Sequence, residues 1–231
     1  MKNRVYLTAI IGLIIAGFAS CNKAEKRGVI SQSFWNFDGR TLIVQVEDGD
    51  QYNAIVHSVR ATFWSYETFA EGSYANGGFT LTLPQTVSSQ YLITLHELLE
   101  SIDVSDRNAR ITVTVFSAYS SDNFQVGSFY LSRPWTATTF MYADRDVAIT
   151  GLEGDGYLNV TYNLFLKKGW NIIYETESNM GRDYYLTTTP VKGLKWYGTI
   201  WGRQSSPLSD QAEEATSLPL RYTPSILRNK F

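Results

Sequence analysis

Short runs of alternating apolar and polar residues follow one another along most of this 231-residue chain. Leu42, Val44 and Val46 form one such run, and Gly, Asn and Asp separate it from the next. A period of two is typical of strands with one buried face. Only residues 88–102 carry helical spacing. Because parallel sheets need crossover helices, we expect an all-β fold, an antiparallel β-sandwich, Ig-like or related, with one short helix.

Two stretches predict hairpins. Asn76, Gly77 and Gly78 precede a clean alternation that ends at Pro84, and these three residue types accept a positive φ. Residues 158–166 alternate even more regularly, with leucine, valine and tyrosine on one face. A turn at Lys167-Lys168-Gly169 and an apolar return run follow, so we expect the two strands to pair as a hairpin.

The start of the chain has the layout of an export signal. Residues 1–20 combine a basic beginning, an apolar run and small residues, and the only cysteine of the chain, Cys21, follows. Phe18-Ala19-Ser20-Cys21 resembles the lipobox of bacterial lipoproteins, whose signal is cut before the cysteine and whose thiol is acylated. The resemblance implies a lipoprotein signal peptide at 1–20 and a lipid anchor, of palmitate type, on Cys21.

The rest of the chain divides by composition. Residues 21–28 are short and charged, and we interpret them as a tether. Residues 29–202 carry the strand pattern and form the expected β-sandwich domain, with an alternative of two subdomains that divide near residue 134. Residues 203–231 are rich in proline and polar side chains, and we expect a poorly ordered tail.

A family resemblance covers roughly residues 35–200. The phrases that carry it are Asn76-Gly77-Gly78-Phe79-Thr80-Leu81, Val104-Ser105-Asp106-Arg107-Asn108-Ala109, Tyr142-Ala143-Asp144-Arg145-Asp146-Val147 and Leu166-Lys167-Lys168-Gly169-Trp170-Asn171. Their order and spacing are similar to those of uncharacterised lipoproteins from gut Bacteroidota. The resemblance implies an all-β protein anchored in the outer membrane, at its periplasmic face or at the cell surface, and it brings no known activity.

Charge and motifs narrow the classes of function. Without the signal, the basic count falls from 20 to 18 because Lys2 and Arg4 leave, and 18 − 22 gives a net charge of −4. This mild acidity offers no footprint for nucleic acid. Only two histidines are present, and no nucleophile elbow, phosphate loop or dinucleotide motif occurs. We therefore expect no catalytic residues, no bound metal and no cofactor.

Carboxylates leave two weaker hypotheses open. A glycosidase needs only two carboxylates across a cleft, and sequence spacing alone does not show that any pair meets. Calcium could bind acids in glycine-containing loops, although turn chemistry explains the same residues. The glycosidase candidates are Glu97, Glu100, Asp144, Asp146, Glu175 and Glu177. The loop acids are Asp48, Asp50, Glu153 and Asp155.

Aromatic side chains are the remaining candidate contacts. Trp196, Tyr197 and Trp201 cluster near the end of the predicted domain, and Trp64 lies elsewhere. Within a strand Trp196 and Tyr197 point to opposite faces, so at most one of them belongs to the core. Tryptophan and tyrosine can bind sugars or proteins, or fill a core. We expect a non-enzymatic protein that binds a glycan or an envelope protein; the alternatives are a lipocalin-like carrier of a small apolar ligand and a carbohydrate-active hydrolase.

Overall fold

The chain is all-β, as the alternating runs predict. The computed structural model describes residues 34–63, 67–98, 102–154 and 157–201. Besides strands, these residues contain one helical turn, α1 (Leu95–Leu98), and three short 3-10 turns. The strands are β1 (Trp35–Phe37), β2 (Thr41–Gln45), β3 (Ser58–Phe63), β4 (Thr68–Ala75), β5 (Gly78–Thr82), β6 (Ile93–Thr94), β7 (Asp103–Val104), β8 (Arg110–Tyr119), β9 (Gln125–Arg133), β10 (Thr136–Ala143), β11 (Val147–Gly154), β12 (Asn159–Leu166), β13 (Gly169–Ser178), β14 (Asp183–Thr187) and β15 (Lys195–Ile200).

All 15 strands belong to one continuous mixed sheet. Its order is β1-β2-β5-β4-β3-β8-β9-β10-β13-β14-β12-β11-β7, while β15 pairs with β9 and β6 pairs with β8. The strand pairs are antiparallel except for β12 and β14, which run parallel. Pairing continues across residue 134, since β10 bonds to β8 and β9 on one side and to β13 on the other.

The first half of the sheet curls back on itself. Val46, just after β2, forms a backbone bridge with Trp196 in β15. The backbone N–H of Glu47 also donates to the carbonyl oxygen of Trp196 at 2.8 Å. Strand pairing therefore runs in a closed circuit through β2, β5, β4, β3, β8, β9, β15 and back to β2.

Three strands form a wall between two hydrophobic cores. In β10, Phe140 and Tyr142 belong to one core, whereas Met141 and Ala143 belong to the other. The neighbouring strands β8 and β13 divide their side chains in the same way. A strand that is buried on both faces reads as a continuous apolar run, which is how Phe140 to Ala143 reads. We call the core inside the closed circuit the first core and the other the second core.

Several sequence predictions are confirmed. Leu42, Val44 and Val46 are buried, and α1 supplies the expected short helix. Val160, Tyr162, Leu164 and Leu166 of β12 share a buried face, as predicted. The turn between β4 and β5 has positive φ at Asn76 and Gly77, the conformation for which these residue types were chosen.

The second predicted hairpin is wrong. Strands β12 and β13 follow each other around the turn at Lys167-Lys168-Gly169, but they do not pair. Strand β14 lies between them, and Tyr185 of β14 is in register with Thr161 of β12 and with Thr176 of β13. The two strands diverge because β14 fills the gap and buries Tyr184 and Leu186 in the second core. Strand β13 thus acts as the return connection between two parallel strands.

Some predictions concern residues outside the described ranges. These are the signal peptide at 1–20, Cys21, the tether at 21–28, Trp64 and the tail at 203–231. Within the described ranges, no helix is long and apolar enough to span a bilayer.

Candidate functional site

Strand β15 separates the two neighbouring candidates Trp196 and Tyr197. The strand pairs with β9 along its whole length, and strict alternation turns Trp196 inward and Tyr197 outward. The Trp196 side chain is 0% exposed, with ring centroids 5.5 Å from Phe79 and 5.3 Å from Phe116. Trp196 is therefore part of the first core, so its ring is not available to a partner at the surface.

The outer side of β9 and β15 carries the other aromatic candidates. Tyr197 lies opposite Tyr130, with ring centroids 6.0 Å apart and planes 30° from each other. Thr199 lies opposite Ser128 in the next outward pair. Trp201 follows β15, donates its backbone N–H to Val126 at 2.6 Å, and has a side chain that is 56% exposed. We call this surface, formed by Ser128, Tyr130, Tyr197, Thr199 and Trp201, the aromatic face.

The inner side of β15 holds the aromatic face in position. A Cβ atom at Gly198 would lie 2.8 Å from ring carbons of both Tyr52 and Phe129, so only glycine fits there. The Tyr52 hydroxyl donates to the carbonyl oxygen of Gly198 at 3.0 Å. At the start of the strand, Lys195 Nζ lies 2.6 Å from Glu47 Oε1. These contacts hold the backbone beneath the face, on which Tyr130 and Tyr197 are half-buried and Trp201 is exposed.

Other exposed aromatic residues are not among the binding residues that the sequence predicts. Phe124, one residue before β9, lies at the same end of the strand pair as Trp201 and is exposed. Trp135, in the tight turn between β9 and β10, is 65% exposed with a φ of 63°. Tyr157 and Phe165 are also exposed. The alternation along β12 could have placed the Phe165 side chain on the outward face of that strand. No sequence signal marks Phe124 as part of a surface.

Two of the candidate carboxylates are held in ion pairs. Asp144 Oδ2 lies 2.9 Å from Arg110 Nε, and Asp144 Oδ1 lies 3.0 Å from Arg145 Nε. Burial alone would raise the pKa of Asp144, but hydrogen bonds from Arg145 and Arg110 outweigh it and lower the pKa. Asp146 Oδ2 pairs with Lys167 Nζ at 2.8 Å, and its pKa is also lowered. Both groups are structural partners of cations in this arrangement.

Two further carboxylates lie on one face of β13. Glu175 and Glu177 are two residues apart and share the face of Ile173, which belongs to the second core. Glu175 is 4% exposed, and burial, with a contribution from the charge of Glu177, raises its pKa to about 8. A carboxyl group with this pKa is mostly protonated at pH 7. Of the remaining candidates, the Glu97 side chain and all of Glu100 lie outside the described residues.

The loop acids do not assemble a metal site in the described part of the chain. There, no group of three or more His, Cys, Asp or Glu side chains is arranged to hold a metal ion. Asp48 adopts a left-handed conformation with φ 51°, and Asp50 Oδ1 accepts from the Asn53 amide at 3.3 Å. These are turn roles. Glu153 instead accepts a hydrogen bond from Tyr162 at 3.2 Å, and Asp155 falls outside the described residues.

Comparisons with protein families, curated proteins and solved structures find no match to this chain.

Proposed function

We propose that this chain is a lipid-anchored protein of the outer membrane that binds a glycan at the aromatic face and catalyses no reaction. The observation that carries the binding part is the pair Tyr130 and Tyr197 on the outer side of β9 and β15, followed by the exposed Trp201. The lipobox-like segment that ends at Cys21 supports the proposed location in the outer membrane.

The chemistry of the aromatic face suits a sugar better than an apolar ligand. Aromatic rings offer broad apolar area against the C–H faces of a sugar, and their polar tips tolerate water. The hydroxyl groups of Ser128 and Thr199 lie between the aromatic positions of the two strands, where they can exchange hydrogen bonds with sugar hydroxyls. Because the backbone beneath the face is held in place, little conformational entropy is lost when a ligand binds.

The alternatives lack a comparable observation in their favour. A lipocalin-like carrier would hold its ligand inside the closed circuit of strands, and aromatic side chains such as Phe79, Phe116 and Trp196 occupy that interior. A hydrolase would need two carboxylates that face each other across a cleft, whereas Glu175 and Glu177 lie two residues apart on one strand and Glu175 is buried. We also propose that the strands form a β-sandwich, Ig-like or related. Sheets packed against both faces of the wall formed by β8, β10 and β13 would give such layers.

Binding can be tested with variants of the aromatic face and a control variant elsewhere on the surface. The full chain, purified from membranes in detergent, would be titrated against a panel of host and microbial glycans by calorimetry. We expect Trp201→Ala and Tyr197→Ala to weaken the best ligand at least about tenfold, as loss of a stacked ring does. Trp135→Ala is the matched control, because Trp135 is equally exposed but lies at the opposite end of β9.

Three outcomes would contradict glycan binding at this face. They are no binding across the panel, equal loss with Trp135→Ala, or binding of an envelope protein that the glycans do not compete for.

The anchor has a separate test. Cys21→Ala should move the protein from the membrane to the soluble fraction, because the acyl chains supply the membrane affinity. Ser20→Ala keeps the thiol and should stay in the membrane fraction. An intact, unacylated N-terminus on protein from its native host, measured by mass spectrometry, would overturn the anchor.

A further inference from the structure

Glu175 places one carboxyl oxygen in the second core without a hydrogen-bond partner among the described residues. Glu175 is 4% exposed, and its Oε1 atom accepts no hydrogen bond from the described residues. A buried polar atom without a partner costs free energy, and a buried charge costs much more. Native proteins rarely keep such a group unless it has a use.

The neighbouring strands bring polar side chains to the same end of the second core. Glu175 is in register with Leu186 of β14, which is in register with Tyr162 of β12. One step further along the strands, Glu177 is in register with Tyr184, and across the sheet Val160 is in register with Glu153 of β11. Exposure increases in this direction, from buried Glu175 to half-buried Glu177 and Glu153.

Polar side-chain ends meet in two contacts at this place. The Tyr162 hydroxyl donates to Glu153 Oε2 at 3.2 Å. A Cβ atom at Gly181 would lie 3.2 Å from Glu177 Oε1 and 3.6 Å from the Tyr184 hydroxyl, so both of these groups point to the same spot. We call the set Glu153, Tyr162, Glu175, Glu177 and Tyr184 the acidic end of the second core.

No cation of the described residues neutralises these acids. None of Glu153, Glu175 and Glu177 is in an ion pair there, whereas Asp144 and Asp146 each have a cationic partner. The absence of a three-acid metal group in the same residues argues against a divalent ion as occupant. An ammonium group differs from a metal ion, because it carries three N–H donors and is also attracted to the faces of tyrosine rings.

We propose that the acidic end of the second core binds a primary ammonium group, with Glu175 as its innermost acceptor and the rings of Tyr162 and Tyr184 beside it. Glu175 is protonated when the site is empty. Binding of R–NH₃⁺ ionises it, so one proton leaves to solvent and the ammonium and the carboxylate form the pair. A free amine, an amino sugar and a lysine side chain share this chemistry.

Calorimetry with n-butylammonium chloride tests the proposal on the full chain. We expect a dissociation constant on the order of 1 mM. Because Glu175 must ionise, affinity should rise about tenfold per pH unit between about pH 6 and pH 8. Repeating the titration in phosphate and in HEPES, neither of which contains a primary amine, should show release of a proton on binding. Spermidine and glucosamine would then distinguish amine sources.

Glu175→Gln should abolish binding. Glu71 is an exposed acid on β4, so Glu71→Gln should leave binding unchanged. The melting temperature of Glu175→Gln shows whether this variant folds. If it does not fold, the pH dependence of the affinity and the proton release of the wild-type protein test the proposal instead. The proposal is overturned if n-butylammonium gives no heat at about pH 8, if tetramethylammonium, which has no N–H donor, binds equally well, or if only calcium chloride binds.

Discussion

The two cores share one wall but differ in chemistry. Among the described residues, the first core has ten aromatic side chains in its 22 buried members, and the second has two in its 16. The wall strand β10 makes the contrast at adjacent positions, with Phe140 and Tyr142 on one side and Met141 and Ala143 on the other. Glu175 faces the second core only.

This difference separates a structural role from a chemical one. Rings in the first core contact one another, for example Phe116 and Phe140 at 5.1 Å in an edge-to-face arrangement, and such contacts favour one packing solution. The second core is aliphatic along most of its length and becomes acidic at one end. Functional sites often break the rules that make a core stable. Both cores stabilise the fold, and Glu175, the buried carboxyl group with a raised pKa, lies in the second.

The largest expected effect is a charge placed in the second core. Leu164→Asp should remove most of the free energy of unfolding, which is roughly 5–15 kcal/mol for a domain, because the new carboxylate would be buried without a partner. The measurement is thermal unfolding followed by circular dichroism.

Phe165→Asp is the matched control for this change, because Phe165 is the next residue of β12 and is 59% exposed. It should change the free energy of unfolding by less than about 0.5 kcal/mol. Equal losses in both variants would mean that the faces of β12 are assigned backwards.

The second effect is a pH dependence that belongs to the second core. Burial raises the pKa of Glu175 from 4.5 to about 8, so the folded state holds this proton longer than the unfolded state. Stability should therefore fall between those pH values, by about 5 kcal/mol in total at about 1.4 kcal/mol per pH unit. Glu177 and Tyr162 interact with Glu175, and Glu153 and Tyr184 lie next to those two groups. Urea unfolding at a series of pH values measures the slope.

Glu175→Gln should flatten this slope, since glutamine does not titrate. A variant that keeps the wild-type slope would assign the pH dependence to another group and would weaken the contrast between the cores.

The third effect concerns the first core. Trp196→Ala should cost about 3–5 kcal/mol, because it removes a fully buried ring and leaves a cavity. Trp201→Ala should change the free energy of unfolding by less than about 0.5 kcal/mol, because this side chain is exposed. Comparing the urea midpoints of the two variants tests whether the cluster in the sequence divides into one core residue and one surface residue.

Local patterns in the sequence predicted strands and their buried faces. The alternation in β2 and β12 and the turn at Asn76-Gly77 depend on neighbours along the chain, so the sequence alone was enough to identify them. The same reasoning placed Trp196 and Tyr197 on opposite faces of one strand, which the structure confirms.

Long-range pairing could not be predicted in this way. The hairpin expected after Leu166 fails because β14 lies between its two strands, and nothing near Lys168 indicates that insertion. Glu175 was named as a carboxylate, but its burial depends on β10, β12 and β14 meeting around it. The apolar run Trp170 to Tyr174 does not mark it, because Glu175 follows that run and lies on the face of Ile173.

The smallest expected difference is between two acids at the rim of the second core. Asp144 accepts hydrogen bonds from the backbone N–H and the guanidinium of Arg110, and its side chain is largely buried. Asp146 pairs with Lys167, and both of these side chains are well exposed. Asp144→Ala should cost about 1–3 kcal/mol because it leaves the half-buried N–H donors of Arg110 without their acceptor, and Asp146→Ala should cost less because solvent screens its exposed pair. Since hydrogen bonds lower the pKa of Asp144, its contribution should be present above its ordinary value of 3.8 and lost as the pH falls. Urea midpoints at neutral pH measure both costs, and equal values would mean that burial at the rim does not decide the strength of an ion pair in this protein.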